Sequence, residues 1–384
     1  MGDILISLQN NTLSRADLSN EAGVAKNVHY GDVLIKFGEV LDVSKEKLPM
    51  ISDESVLSKY KSSFLQNGDV IVADTAEDST VGKCSEIAGL NDEVVLSGLH
   101  TIPYRPIEKF ASGYLGYYLN SSAYHNHLIP LMQGIKVTSI SKSAMQDTDI
   151  VYPKSVEEQG KIGDYFQSLD HLITLHQRKY NKLLNVKKSM LEKMFPKNGS
   201  NIPEIRFKGF TDPWEQRKLG EVCSEIGDGL HSAPTYDDNG EYYFVNGNNL
   251  VNGHIEIDEV ETKRVSSSTF TSNDKGLDEN TILLSINGTI GNLAYYAGEK
   301  VMLGKSAAYL KVKDIKKEFL YTSLQTEMIL NKFMLSLTGT TIKNLGLEAI
   351  KKTSISIPGY DEQTKVGKYF NNLDNLITLH QREF

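Results

Sequence analysis

Two polar, glycine-bearing stretches hold the side chains best suited to recognition chemistry. Gly227-Asp228-Gly229-Leu230-His231-Ser232-Ala233-Pro234 and Val245-Asn246-Gly247-Asn248-Asn249 gather amide and imidazole groups around backbone that glycine leaves accessible. Amides and imidazoles both donate and accept, so such loops read base edges and grip phosphate without much formal charge. The competing reading is turn chemistry alone. Asn27-Val28-His29-Tyr30-Gly31-Asp32, ahead of Lys36, is the equivalent stretch nearer the N-terminus. Gln133-Gly134-Ile135-Lys136 and residues 338–343 (TGTTIK) form a second matched pair of loops. The candidate nucleic-acid contacts are therefore Tyr30, Lys36, Gly134, Lys136, Gly229, His231, Asn246, Asn248, Asn249, Thr341 and Lys343.

Other chemistries fit less well. Residues 298–306 (GEKVMLGKS) resemble a phosphate-binding loop, but five residues separate the glycines where that motif needs four, and the matching stretch near the N-terminus is strand-like. Glu261-Thr262-Lys263 imitates the acid-x-Lys end of a metal-dependent nuclease site, yet it stands in a charged stretch without a counterpart and reads as surface charge. His125 and His127 flank Asn126, and His171 and His176 lie off a common helical face; neither pair makes a zinc site. Cys84 and Cys223 have no metal-ligand spacing.

What must position these loops is a duplication. Residues 155–196 recur, shortened, from Asp361: Glu158-Gln159, Tyr165-Phe166, Leu169-Asp170 and residues 172–178 all repeat at a constant offset of 204. A period that long is a duplicated domain, each copy followed by the same helix. Ile162, Phe166, Leu169, Ile173, His176, Tyr180, Leu183, Met190 and Met194 form a heptad seam, interrupted where Lys187 takes an apolar slot. The spacing predicts a helix over residues 157–195, roughly 58 Å long at 1.5 Å per residue. Val366, Phe370, Leu373, Ile377, His380 and Phe384 continue the seam in the second copy, so the two stripes predict an antiparallel pair. His176 and His380 fall on the seam as packed histidines.

The duplicated modules are similar α/β (α+β) units. In residues 1–153, strand-like runs stand at 33–37, 69–73, 94–96 and 150–152, and an aromatic-rich helix is expected over 110–128. In residues 219–358, runs 281–285, 301–303 and 353–358 answer those at 69–73, 94–96 and 149–153. A helix over 319–333 answers 110–128. Residues 154–196 are the first long helix and 359–384 the second. Between them, residues 197–218 read as an ordered, extended linker, with Ile205, Phe207, Phe210 and Trp214 to bury.

The chain has 384 residues, 40% hydrophobic, enough for two cores. No apolar run approaches the ~20 residues that span a bilayer, and the N-terminus lacks a signal-peptide pattern, which predicts a cytoplasmic protein with reduced thiols. A net charge of −8 argues against a generic nucleic-acid binder. Its distribution is uneven. Residues 1–153 carry 12 basic and 19 acidic side chains, whereas residues 178–197 carry seven basic ones against Glu192 alone. Cationic charge is concentrated on the connecting helix, either as a solvated face or as one lying along phosphates or an acidic partner.

Together, residues 210–222 (FTDPWEQRKLGEV), 228–234, 245–249, 172–178 and 187–196 resemble the specificity subunit of type I restriction-modification systems. The resemblance covers almost the whole chain. It implies two target recognition domains that each read half of a split, non-palindromic DNA site, held apart by an antiparallel coiled coil of the two long helices. It also implies docking of modification (methyltransferase) subunits, two of them, on those helices through Phe166, Leu169, Ile173, Tyr180, Leu183, Phe370, Leu373 and Ile377, with restriction subunits joining through the complex. No cofactor, metal or catalytic residue of its own is implied; S-adenosylmethionine, ATP and Mg²⁺ belong to the partner subunits. Consistent with this, no Asn-Pro dipeptide is present from which an amino-methyltransferase motif could be built. At its two ends the chain departs from the family pattern, which points to a truncated, rearranged or silent variant. Two rivals remain from other classes: a nuclease or NTPase acting alone, and a purely structural coiled-coil oligomeriser.

Overall fold

Val70–Ala73 and Thr281–Ser285 are buried along their whole length, and each lies inside the main sheet of one of two units. Burial on both faces is why these runs are continuously apolar or small rather than alternating. The structure, a computed structural model, describes residues 1–197, 199–339 and 343–382. The chain divides into Met1–Thr174 and Leu175–Phe384.

In the first unit, Val70–Ala73 pairs antiparallel with Thr101–Pro106 and Cys84–Ala88; Leu5–Ser7 and Val40–Asp42 form the edges. A smaller sheet sets Ala25–Val28 between antiparallel Met50–Ile51 and parallel Val95–Ser97. The second unit repeats both sheets. Thr281–Ser285 lies between Ala307–Val312 and Leu293–Tyr295, with Cys223–Asp228 beyond. Tyr242–Val245 lies between antiparallel Arg264–Val265 and parallel Val301–Leu303. The second unit adds Glu215–Lys218 paired with Ser354–Ile357. The architecture is two similar mixed helix-and-sheet units. Both cysteines are buried and unbridged, and desolvation raises both thiols, Cys223 to about 12.

Three expectations need correction. Residues 33–37 are not a strand: Tyr30–Ile35 is helical. Val33 and Phe37 are buried while Ile35 is 89% exposed, an i,i+4 pattern that the β-branched composition masks. Residues 150–152 form no strand, because a strand requires a ladder and none of the described residues pairs with them; the Val151 N–H donates instead to the Tyr118 hydroxyl at 2.9 Å. The helices expected over 110–128 and 319–333 are each two: Tyr114–Asn120 with Ser122–Leu128, and Lys317–Leu324 with Glu327–Leu335. The breaks have one cause. Ser121 and Thr326 are extended, and their hydroxyls donate back to the carbonyls of Tyr118 and Ser323 at 2.6 and 2.7 Å, competing with helix continuation.

The long helices form as expected, Val156–Lys193 and Tyr360–Arg382. Each is locked to its own unit by the repeated glutamine. Gln159 accepts from the Ala111 N–H (3.0 Å) and donates to the Pro153 carbonyl (2.8 Å); Gln363 accepts from the Lys316 N–H (2.9 Å) and donates to the Pro358 carbonyl (2.9 Å). One turn later Gly163 and Gly367 admit a neighbouring backbone. A Cβ on Gly163 would lie 3.2 Å from the Ser112 carbonyl oxygen, and one on Gly367 2.9 Å from the Phe319 nitrogen. That explains a glycine inside each helix despite its propensity cost.

Within the second unit, the latter part of the first long helix runs antiparallel to the second. Phe195 meets Phe370 at a ring separation of 6.2 Å, Lys187 pairs with Asp374 at 2.6 Å, and the His176 and His380 rings lie 5.5 Å apart. This is the antiparallel coil read from the two seams.

Candidate nucleic-acid interface

The two small sheets end alike. The Gly98 N–H donates to the Val28 carbonyl at 2.9 Å, and the Gly304 N–H donates to the Val245 carbonyl at 2.8 Å. Each strand then turns into a short helix, Tyr30–Ile35 or Gly247–Asn249, so the stretches matched in sequence occupy equivalent places.

In the first unit His29 caps the helix, its Nδ1 accepting the Gly31 N–H at 3.2 Å. Burial, aided by Arg15, holds the imidazole below its ordinary pKa, which suits a ring nitrogen that must accept. The Tyr30 ring lies 4.7 Å from that of His29 and edge-on to His100 at 5.3 Å. His100, with a left-handed φ of 56°, brings Nδ1 within 3.5 Å of Asp74 and Thr75. Thr75–Ala76 pairs with Thr138–Ser139, at the base of the Gly134 loop. Gln133 and Ser139 close that loop with two backbone hydrogen bonds, and Lys136 and a fully exposed Ile135 stand at its tip. Tyr30, Gly134 and Lys136 thus join one linked set through His100 and Asp74. Lys36 is engaged by neighbours of its own, donating to the Lys47 carbonyl and lying 3.3 Å from Glu46.

In the second unit His231 is exposed and holds Asp228 at 2.7 Å. Gly229 is buried; a Cβ there would meet the Leu303 carbonyl oxygen at 2.1 Å, so this glycine permits a close backbone approach and presents nothing outward. Asn246 accepts from the Ser306 hydroxyl, and Asn249 bridges the Asn246 N–H and the Glu256 carbonyl, which makes both framework residues. Asn248 is exposed. All three asparagines line a cleft of about 480 Å³ with Tyr236, Glu256, Asp258 and Glu261. Carboxylates beside amides repel phosphate but can accept from the exocyclic amine of a base. The loop matching that of Gly134 is closed by Thr338 and Asn344 through the same pair of backbone bonds. Lys343 is exposed beside Asn344, and Thr341 lies outside the described residues.

Sequence reasoning missed His100, Asp74 and Tyr236. A histidine two residues past Gly98, at the end of a recognised apolar run, was the available signal for the first. Of the rejected motifs, the phosphate-loop lookalike contains the strand Val301–Leu303. Among the described residues no group of His, Cys, Asp and Glu is placed to hold a metal.

A family model described as the type I restriction modification DNA specificity domain matches residues 27–185 and again 211–383. The chain belongs to this family. A type I restriction enzyme MjaX specificity subunit of Methanocaldococcus jannaschii is 23% identical over 362 residues, covering 91% of this chain and 79% of that relative. The type I restriction-modification S subunit of M. genitalium aligns with a TM-score of 0.55 at 14% identity, covering 100% of this chain and 90% of the other. A chain from a structure concerned with complex assembly and conformational transition of the type I R-M system aligns with a TM-score of 0.52 at 17% identity, again covering 100% and 90%. These two likenesses are of fold. Among the described residues of this specificity chain, no helix is long and apolar enough to cross a membrane.

The seam residues of the specificity chain fall into two groups. Phe370, Leu373 and Ile377 are 0, 7 and 8% exposed, packed inside the second unit, while Tyr180 and Leu183 are half-buried. Phe166, Leu169 and Ile173 are 44, 37 and 52% exposed. The second group leaves an apolar stripe on the surface; the first is consumed by the fold.

Proposed function

We propose that this chain is the non-catalytic DNA-reading subunit of a type I restriction-modification complex, each unit reading one half of a bipartite, non-palindromic site. The observation that carries the reading is the pair of equivalent strand ends at Val28 and Val245: one leads into His29-Tyr30 beside His100, the other into Asn246-Gly247-Asn248-Asn249 beside Ser306. One framework presents two unlike surfaces, which suits two unlike half-sites. Tyr30, His100 and Lys136 are the proposed readers of the first unit, and His231, Asn248 and Lys343 those of the second; Gly134, Gly229, Asn246 and Asn249 shape the loops, and Thr341 belongs to the loop of Lys343.

Residues 1–153 and 219–358 are the proposed recognition domains, with the long helices as spacer and as the seat of two modification subunits, which bring the restriction subunits. Catalysis and its cofactors reside in those partners, in the cytoplasm. Acidic recognition domains bind DNA modestly alone, so the complex must supply further phosphate contacts.

Co-expression with modification subunits and mapping of methylated adenines tests this. A split target is expected, with Lys136→Ala and Tyr30→Ala relaxing one half and Asn248→Ala and His231→Ala the other. One heptad inserted between residues 164 and 174 should change the unread gap and leave both half-sites as they were. Methylation that ignores sequence, or a gap indifferent to helix length, sinks the reading.

A further inference from the structure

The second long helix carries a dock that is filled. Residues 206–210 lie against it, and Arg206 pairs with Glu362 through two bonds, Nε to Oε1 and Nη2 to Oε2, both 2.7 Å. Phe207 meets Tyr369 edge-on at 6.2 Å, and the Lys365 ammonium stands 4.8 Å from the Phe210 ring. Trp214 closes the run, buried 5.6 Å from Phe319. The covering is effective: Glu362 is 1% exposed.

Every helix residue of that dock recurs in the first unit at the offset of 204. Glu158, Lys161 and Tyr165 stand where Glu362, Lys365 and Tyr369 stand in the other copy. The helix beneath is fixed to its own unit in the same way, since Gln159 and Gln363 make the same two backbone bonds. Even the local ring geometry repeats: Tyr165 and Phe166 meet at 5.4 Å and 76°, Tyr369 and Phe370 at 5.2 Å and 89°. What differs is the cover. Glu158 is exposed, Lys161 reaches only Glu157 in a solvated pair, and Tyr165 is 61% exposed. A carboxylate and a tyrosine, matching a buried carboxylate and a half-buried tyrosine elsewhere in the same chain, stand open.

We propose that Glu158, Lys161 and Tyr165 form a second copy of this dock, which binds in trans an extended peptide of the Arg-Phe-x-Gly-Phe type presented by a partner chain. The arginine forks onto Glu158, the first phenylalanine lies against Tyr165, and the second sits under Lys161. The occupant is specified by charge and by shape. An acidic segment is repelled by Glu158, and a purely apolar one leaves that carboxylate unpaired. The proposal does not depend on DNA reading, because its contacts involve neither recognition loop.

The test is a fluorescence anisotropy titration of the intact chain with a dye-labelled synthetic peptide of residues 201–214. Saturable binding is expected. Glu158→Gln should weaken it about tenfold, the loss of one charge-assisted pair, and Tyr165→Ala should weaken it further. Binding should return when Glu158→Arg is offered a peptide carrying Arg206→Glu. Both helix positions are exposed, so unchanged thermal unfolding of the variants shows that they fold. Absence of saturable binding overturns the proposal. So does binding that ignores Glu158 and Tyr165 but responds to Glu362→Gln, since the peptide has then displaced the chain's own segment from the filled dock.

Discussion

Phe166, Leu169 and Ile173 and, 204 residues on, Phe370, Leu373 and Ile377 are the same side chains in the same order on the same kind of helix. The first three are 44, 37 and 52% exposed, the second three 0, 7 and 8%. Periodicity alone cannot separate them. The difference lies in what crosses each stripe. In the second unit residues 180–195 lie over it and residues 206–210 cover the adjoining Glu362, Lys365 and Tyr369, placing Phe370 in contact distance of Phe195 and inside the unit's core. A seam is thus a capacity to be buried; the covering element decides whether it becomes core or surface.

The largest expected effect follows from that contrast. Phe370→Ala removes a fully buried ring from a cluster that includes Phe195 and Phe319 and should destabilise the second unit by about 4 kcal/mol. Phe166→Ala, the same change on an exposed stripe, should cost less than about 1 kcal/mol. Hydrogen exchange at core amides of each unit in increasing urea reads the two costs separately, and fluorescence of Trp214, the sole tryptophan, follows the second unit because the indole packs 5.6 Å from both Phe195 and Phe319. Equal shifts for the two variants would erase the contrast.

A smaller effect probes the cover itself. Arg206 and Glu362 are 12 and 2% exposed, so Arg206→Ala leaves a carboxylate buried without its counter-ion and should cost about 3 kcal/mol by the same tryptophan signal. Replacing both partners together, Arg206→Met with Glu362→Leu, should recover most of that loss, because desolvating the pair offsets much of its attraction. A double variant as unstable as the single one would mean that the segment is held by its aromatic contacts alone.

How much of this was legible depends on whether a feature is local. Runs of apolar or small residues at 70–73, 281–285 and 301–303 and the heptad seam of the first helix are local and were readable. Residues 150–152 (IVY) are more strand-prone in composition than Ser354–Ile357 (SISI), but the latter is a strand because Glu215–Lys218 supplies its ladder. The helix Tyr30–Ile35 hid behind β-branched residues, although Val33 and Phe37 stand four apart. For the site, glycine and asparagine loops announce themselves. His100 does not, because its role arises from Tyr30 and Asp74, which reach it across the fold.

A loss smaller than that of Arg206→Ala is one in which the two copies should agree. Gln159 and Gln363 are 2 and 3% exposed, and each makes one bond to a backbone N–H and one to a proline carbonyl. Alanine at either position leaves a donor and an acceptor unpaired where water has little access, a loss of about 2 kcal/mol. The cost is set by groups inside each unit and not by what lies over the helix, so it should be nearly the same in both. Hydrogen exchange at the amides of Ala111 and Lys316 reads each unit separately: Gln159→Ala should speed only the first and Gln363→Ala only the second, by similar factors. A much larger effect at Gln363 would show that the cover over the second helix, and not the glutamine, holds that helix to its unit.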